Sequence, residues 1–169
     1  MAYAVAPAEK LPLADGVASA ITAAQAAHWF DLPAFYAEVR RVAHPGAVVA
    51  LISYGVLALE GALGERFLHF YAEDIGPFWP PERRRVDDGY AGMDFPFAER
   101  PAPALAIEHA WDLGQFLGYV STWSAVKQAR QARKEALLAA FADECAALWG
   151  DPAERKRVTW PIRMRLGQV

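Results

Sequence analysis

Hydrophobic and polar positions alternate between two periods along this chain, and the switches between them predict its elements. Val17 to Gln25 is short and mostly apolar, preceded by an Asp15-Gly16 turn. Periodicity alone leaves it open between strand and helix. The neighbouring segments decide it. Asp31 is a good N-cap, Leu32-Pro33 suits a first helical turn, and Phe35, Val39 and Val42 recur at helical spacing with Arg40 and Arg41 on other faces. His44-Pro45-Gly46 ends that helix, and Ala47 to Tyr54 then runs as an unbroken apolar stretch rich in β-branched residues. Such a run suits a parallel strand covered on both faces. Segment, helix and strand together read as a βαβ unit, which places the chain in the α/β class.

A third helix is expected from about Glu60 to Asp74, with Leu63, Phe67, Phe70 and Tyr71 on one side and Gly76-Pro77 stopping it. Between residues 76 and 103 the pattern lapses. Six prolines (Pro77, Pro80, Pro81, Pro96, Pro101, Pro103) interleave with Phe78, Trp79, Tyr90, Phe95 and Phe97, a composition that predicts an ordered lid-like segment or pocket wall. Leu105 to Trp111 alternates as a strand. Asp112 caps a helix carrying Phe116, Leu117, Val120, Trp123 and Val126, and a further helix covers about Lys134 to Trp149 before Gly150. From Val158 to Leu166, Val158, Trp160, Ile162, Met164 and Leu166 alternate with Thr159, Pro161, Arg163 and Arg165, so this strand is expected to be antiparallel or at an edge.

Composition narrows the picture. With 169 residues and 54% hydrophobic content, one folded domain over 1–169 is expected. A formal charge of -3 argues against nucleic acid, because phosphate binding is driven by clustered Lys and Arg; the one basic run, Arg83 to Arg85, is answered by Asp87 and Asp88 and reads as a solvated loop. Cys145 is the only cysteine, which excludes an intramolecular disulfide and fits a reducing cytoplasm. The four histidines lie far apart without carboxylates at ligand spacing, so no metal site is expected. No apolar run approaches the about 20 residues needed to span a bilayer, and a soluble protein is expected.

Three segments then resemble a known pattern: Ala8-Glu9-Lys10-Leu11-Pro12-Leu13, Gln25-Ala26-Ala27-His28-Trp29-Phe30-Asp31, and Arg41-Val42-Ala43-His44-Pro45-Gly46. In this order and spacing they resemble class I S-adenosylmethionine (SAM)-dependent methyltransferases of the UbiE and trans-aconitate methyltransferase-like kind, with a methyltransferase type 11 domain. The likeness extends through Thr122-Trp123-Ser124-Ala125-Val126 to the closing strand near Trp160-Pro161. It implies a Rossmann-like sheet of order 3-2-1-4-5-7-6 with strand seven antiparallel, of which this chain supplies the exit loop of strand three and then strands four to seven. The family's Gly-x-Gly-x-Gly turn and the acidic residue that holds the ribose have no counterpart. Gly61-Ala62-Leu63-Gly64 fails the spacing. The chain therefore reads as an N-terminally truncated methyltransferase domain, lacking one flank of the crevice where such sheets bind ligands.

By the same resemblance, Ala8 and Glu9 match the adenine-side contact, and Ala24 and Gln25 the floor beneath the methionine part of SAM. His28 stands at the carboxyl end of a strand with an ordinary pKa near physiological pH. It is the candidate catalytic residue, as a base or to orient an acidic substrate. A packed, backbone-bonded histidine is the competing reading. Trp29, Tyr54, Tyr71, Trp79, Tyr90, Tyr119 and Trp123 fall in acceptor-side segments and are substrate-binding candidates, although aromatics at helical spacing such as Tyr119 and Trp123 commonly serve the core. The implied activity is SAM-dependent methylation of a small molecule, impaired in this chain alone because the glycine-rich motif is missing. The alternative is a non-catalytic assembly module. Strand four would be left as an open edge, which predicts a homodimer paired through it.

Overall fold

The computed structural model describes residues 2–169, and it divides into two compact units. The first comprises the chain up to Gly55 together with Glu82–Leu105 and Pro161–Val169; the second comprises Val56–Pro81 and Ala106–Trp160. The three pieces of the first unit are separated in sequence, so only tertiary packing could reveal it.

In the first unit, β1 (Ala18–Ala24) pairs in parallel with β2 (Ala43–Tyr54), in register from Ala20↔Val48 to Ala24↔Ile52. Between them runs α1 (Leu32–Val42), whose Asp31 N-cap accepts from the Ala34 N–H at 3.3 Å. This is the expected βαβ unit. Phe35, Tyr36, Val39 and Val42 are buried along one face of α1, while β2 buries Val49, Ala50 and Leu51 consecutively, as a strand covered on both faces must. Gly46, at φ 82°, lies where β1 and β2 shift register between Ala18 and Ala20, so the expected turn at His44-Pro45-Gly46 is an irregular start to β2.

The last strand, β5 (Lys156–Gln168), is antiparallel to β2 from Ile162↔Tyr54 to Gln168↔Val48. Its other side takes the short β3 (Ala98–Arg100), giving the order β1-β2-β5-β3. Of the two expected positions, antiparallel holds and edge does not. The alternation comes from antiparallel pairing, and Pro161 is tolerated because it falls just outside the β2 register, where only its carbonyl is used, accepting from the Gly55 N–H at 2.9 Å.

The second unit is mostly helical. α2 (Gly61–His69) continues into a π-turn over Phe70–Asp74, matching the expected helix to Asp74. The short α3 (Arg83–Asp87) belongs to the first unit. β4 (Leu105–Trp111) pairs with β5, and Arg155 crosses to the Ala110 carbonyl at 3.0 Å from its Nε. The single helix expected from Asp112 through Val126 is two: α4 (Leu113–Ser121), opened by a complete capping box between Asp112 and Gln115, and α5 (Ser124–Gln131). Ser121 Oγ donates to the Gly118 carbonyl and Thr122 Oγ1 to the Tyr119 carbonyl, each at 2.7 Å, so side-chain hydroxyls occupy the last turn and Trp123 leaves it extended. α6 (Glu135–Trp149) ends at Gly150, φ 81°. Its buried Phe141 stacks on Phe70 with centroids 3.6 Å apart.

Segment 76–103 is shared out between the units. Its first part forms a turn of 3₁₀ helix at Gly76–Phe78, while Tyr90, Met93 and Phe95 join the core of the first unit with Phe35, Val39 and Leu51. No helix among the described residues is long and apolar enough to cross a membrane.

Candidate functional site

The carboxyl ends of β1 and β2 carry the residues singled out in the first unit. The Gln25 N–H still follows the sheet, donating to the Ile52 carbonyl at 2.9 Å. Its φ of 49° then turns the chain out of the strand. The Gln25 amide oxygen reaches across to accept from the Tyr54 N–H at 3.3 Å, tying the ends of the two strands together. Ala24, just before it, is exposed, so backbone and a methyl group are all that stand at this point of the strand. A single turn of 3₁₀ helix, Ala27–Trp29, comes next and presents His28 and Trp29.

Glu9 lies beside this turn. Its Oε1 accepts from the Asp31 N–H at 3.0 Å, and Ala8 packs against the core. The loop that carries both residues is held from α1. Glu38 is buried and accepts from the Leu11 N–H at 2.6 Å, while Arg41 forks onto the Glu38 carboxylate at 2.6 and 2.8 Å and onto the Leu11 and Leu13 carbonyls at 3.1 and 2.8 Å. Arg41 holds the Glu38 carboxyl down at about 2. This clamp was missed in the sequence. Its only signal there is an acid and a base three apart on α1.

His28 has the richest surroundings. Its Nδ1 is 3.1 Å from the hydroxyl of Tyr90, whose ring stacks at 6.1 Å and is wholly buried. Trp29 is 65% exposed, with its ring 4.9 Å from the imidazole. Arg85 donates to the His28 carbonyl at 3.3 Å and forms no ion pair among the described residues. Burial lowers the His28 pKa, the guanidiniums of Arg83 and Arg85 lower it further, and Glu82 opposes them. The basic run expected as a solvated loop is the short helix α3; its Arg84 and Arg85 are exposed, and Arg85 reaches the His28 backbone carbonyl.

Tyr90 is itself held in an unusual conformation, with φ 65° following Gly89 at φ 66°. Arg165 fixes that turn by donating to the carbonyls of Tyr90 at 3.2 Å and Met93 at 2.6 Å, with its guanidinium 4.8 Å above Phe95 and paired to Glu99. A side chain on β5 thus fixes the backbone that fixes the histidine.

The remaining aromatic candidates form a separate cluster in the second unit. Trp123 meets Trp79 at 5.4 Å, Tyr119 at 5.6 Å and Tyr71 at 5.7 Å, and Trp79 Nε1 donates to the Tyr71 carbonyl at 3.2 Å. Trp160 joins them by donating to the Tyr119 hydroxyl at 3.1 Å, and Trp111 meets Trp160 edge to face with centroids 5.0 Å apart. Tyr71 is buried, while Trp79, Tyr119 and Trp123 are half-buried. Among the described residues no group of three or more His, Cys, Asp or Glu is placed to hold a metal ion.

Comparison with known proteins is consistent across sequence and structure. The family model for a methyltransferase domain, Methyltransf_11, matches residues 1–51. A curated Dictyostelium discoideum protein named "Putative methyltransferase" is 34% identical over 125 residues, covering 72% of this chain, and the chain spans about half of that relative's length, 48%. A solved structure from Anaeromyxobacter dehalogenans, described as a "Putative Type II Methyltransferase", is 45% identical and superposes with a TM-score of 0.92, over 99% of this chain and 71% of its own.

Proposed function

The chain belongs to the class I SAM-dependent methyltransferases, and from that premise we propose that it takes part in transferring a methyl group from SAM to a small molecule bearing a carboxylate or a ring. One observation carries this reading. The ends of the parallel strands β1 and β2 bring Gln25, His28 and Trp29 to the kind of place where open α/β sheets bind their ligands.

The residues present suit part of a SAM cradle. Glu9 uses one carboxylate oxygen on the Asp31 N–H and keeps the other for a ligand's hydroxyl or amino group, beside Ala8. Ala24 and Gln25 offer backbone at close range. Once bound, SAM supplies an electrophilic methyl group. The protein's task is then to position the acceptor, since alignment of the reactants supplies much of the rate. His28 orients the acceptor, Trp29 offers it a ring face, and Arg85 offers a cation. This chain has no Gly-x-Gly-x-Gly turn. Its own affinity for the cofactor is therefore expected to be weak.

Calorimetry with S-adenosylhomocysteine tests the reading. Binding that Glu9→Ala weakens at least threefold supports it; binding unaffected by Glu9→Ala removes Glu9 from the site, and no heat at millimolar ligand refutes an independent cofactor site on this chain. A second reading, self-association, is favoured by the position of β1, which ends the sheet with only β2 beside it and leaves Ser19, Ala20 and Thr22 exposed. Light scattering separates the two: a homodimer lost in Thr22→Pro supports pairing through β1, and a monomer at high concentration excludes it.

A further inference from the structure

We infer that Tyr90 fixes His28 as the Nε2–H tautomer, so that the imidazole presents a hydrogen-bond donor to an oxygen of a bound small molecule and does not serve as a base. This rests on the methyl-transfer reading only for what is bound; the tautomer derives from the accounting of one buried hydroxyl.

A tyrosine hydroxyl has one hydrogen to give and two lone pairs to accept with. The Tyr90 side chain is wholly buried, so water is not available to it. Among the described residues its hydrogen-bond partner is His28 Nδ1 at 3.1 Å. Two arrangements are possible. If Nδ1 carried the proton, it would donate to the oxygen and the hydroxyl hydrogen would be buried without an acceptor. That costs about 1–3 kcal/mol. If Nδ1 is bare, Tyr90 donates to it and the buried hydroxyl hydrogen has its acceptor. The second arrangement puts the ring's single proton on Nε2.

The neutral ring is the form the surroundings favour. The charged groups facing the imidazole are Arg83, Arg85 and Glu82; the two cations and burial together outweigh the acid and hold the pKa down. Nε2 has no partner among the described residues, so this N–H is available to a ligand. A donor there, with the Arg85 guanidinium close by, complements a carboxylate or carbonyl oxygen. It does not suit an alcohol that would need His28 to remove its proton. Tyr90 is accordingly a positioning residue acting through His28, the kind of outer partner that sets which imidazole nitrogen is presented.

Nitrogen NMR of the full chain with labelled histidine tests this, with His28→Gln identifying the resonance. Between pH 6.5 and 8, wild type is expected to show Nε2 protonated and Nδ1 bare, and Tyr90→Phe, which keeps the ring but not the hydroxyl, is expected to lose that single tautomer. A protonated Nδ1 or an imidazolium at pH 7 in wild type overturns the proposal, and wild type decides this even if the variant does not fold. Titrations with S-adenosylhomocysteine alone and succinate alone then locate the oxygen. A shift of the Nε2–H signal with the former assigns it to the cofactor's carboxylate; a shift with succinate only assigns it to the acceptor. No shift with either overturns oxygen recognition. An Nε2–H tautomer in a chain that transfers no methyl group would sink the enzyme reading and leave this one standing.

Discussion

Replacing Arg165 by Met removes the guanidinium from the turn that carries Tyr90 while keeping a long apolar side chain. The loss can be worked from its contacts. Two charge-assisted hydrogen bonds end on the carbonyls of Tyr90 and Met93, at 3.2 and 2.6 Å. Bonds to charged groups contribute about 1.5–3 kcal/mol each. The cation over Phe95, 4.8 Å from the ring centre, adds about 0.5–1 kcal/mol. Arg165 is only 16% exposed, so little water replaces it. The two bonds share one side chain and are not additive, and about 3 kcal/mol is the resulting expectation for opening the turn. The Met93 N–H, which donates to the Tyr90 carbonyl at 3.1 Å inside the same turn, is the reporter. Since about 1.4 kcal/mol is a factor of ten, its hydrogen-exchange protection should fall roughly a hundredfold in Arg165→Met, with a far smaller change for amides of α6. A drop below about threefold would refute the account of Arg165 as the clamp on the Tyr90 turn.

Other expectations can be checked separately. The Glu38 carboxyl is held near 2, well below its ordinary 4.5, so the folded state gains stability above pH 4.5 that is lost as pH falls toward about 2; urea unfolding of wild type against Glu38→Gln should diverge at neutral pH and converge in acid. Phe141→Ala removes a ring that is 2% exposed and stacked on Phe70, and should cost about 3–5 kcal/mol in chemical denaturation, while Phe141→Leu should cost clearly less. Burial pushes the Cys145 thiol up to about 12, so it should react with a thiol reagent at neutral pH only as fast as the chain unfolds, reaching full rate in denaturant.

Local chemistry was enough to read much of this protein. The β-branched run of β2, the Asp31 and Asp112 caps, the apolar spacing of α1 and the alternation of β5 each express a backbone preference or a burial period that neighbours in sequence define. With the three segments at residues 8–13, 25–31 and 41–46, taken in order, they were sufficient for the fold class and the family. Even the break between α4 and α5 had a local cause in the hydroxyls of Ser121 and Thr122, hidden because the apolar spacing runs straight through it.

The surroundings of His28 had no such trace. Tyr90 is 62 residues away and Arg85 is 57. The Arg165 that fixes the Tyr90 turn is 75 residues further on. Hydrogen bonds of this kind depend on three-dimensional closure, and a basic run or a lone tyrosine looks the same in sequence whether it faces water or an imidazole. Strands and helices were legible from the order of residues alone, because periodicity and caps act over a few positions. The proton that the histidine carries was settled only in the folded chain, because it depends on which buried groups are left without partners once the chain has closed.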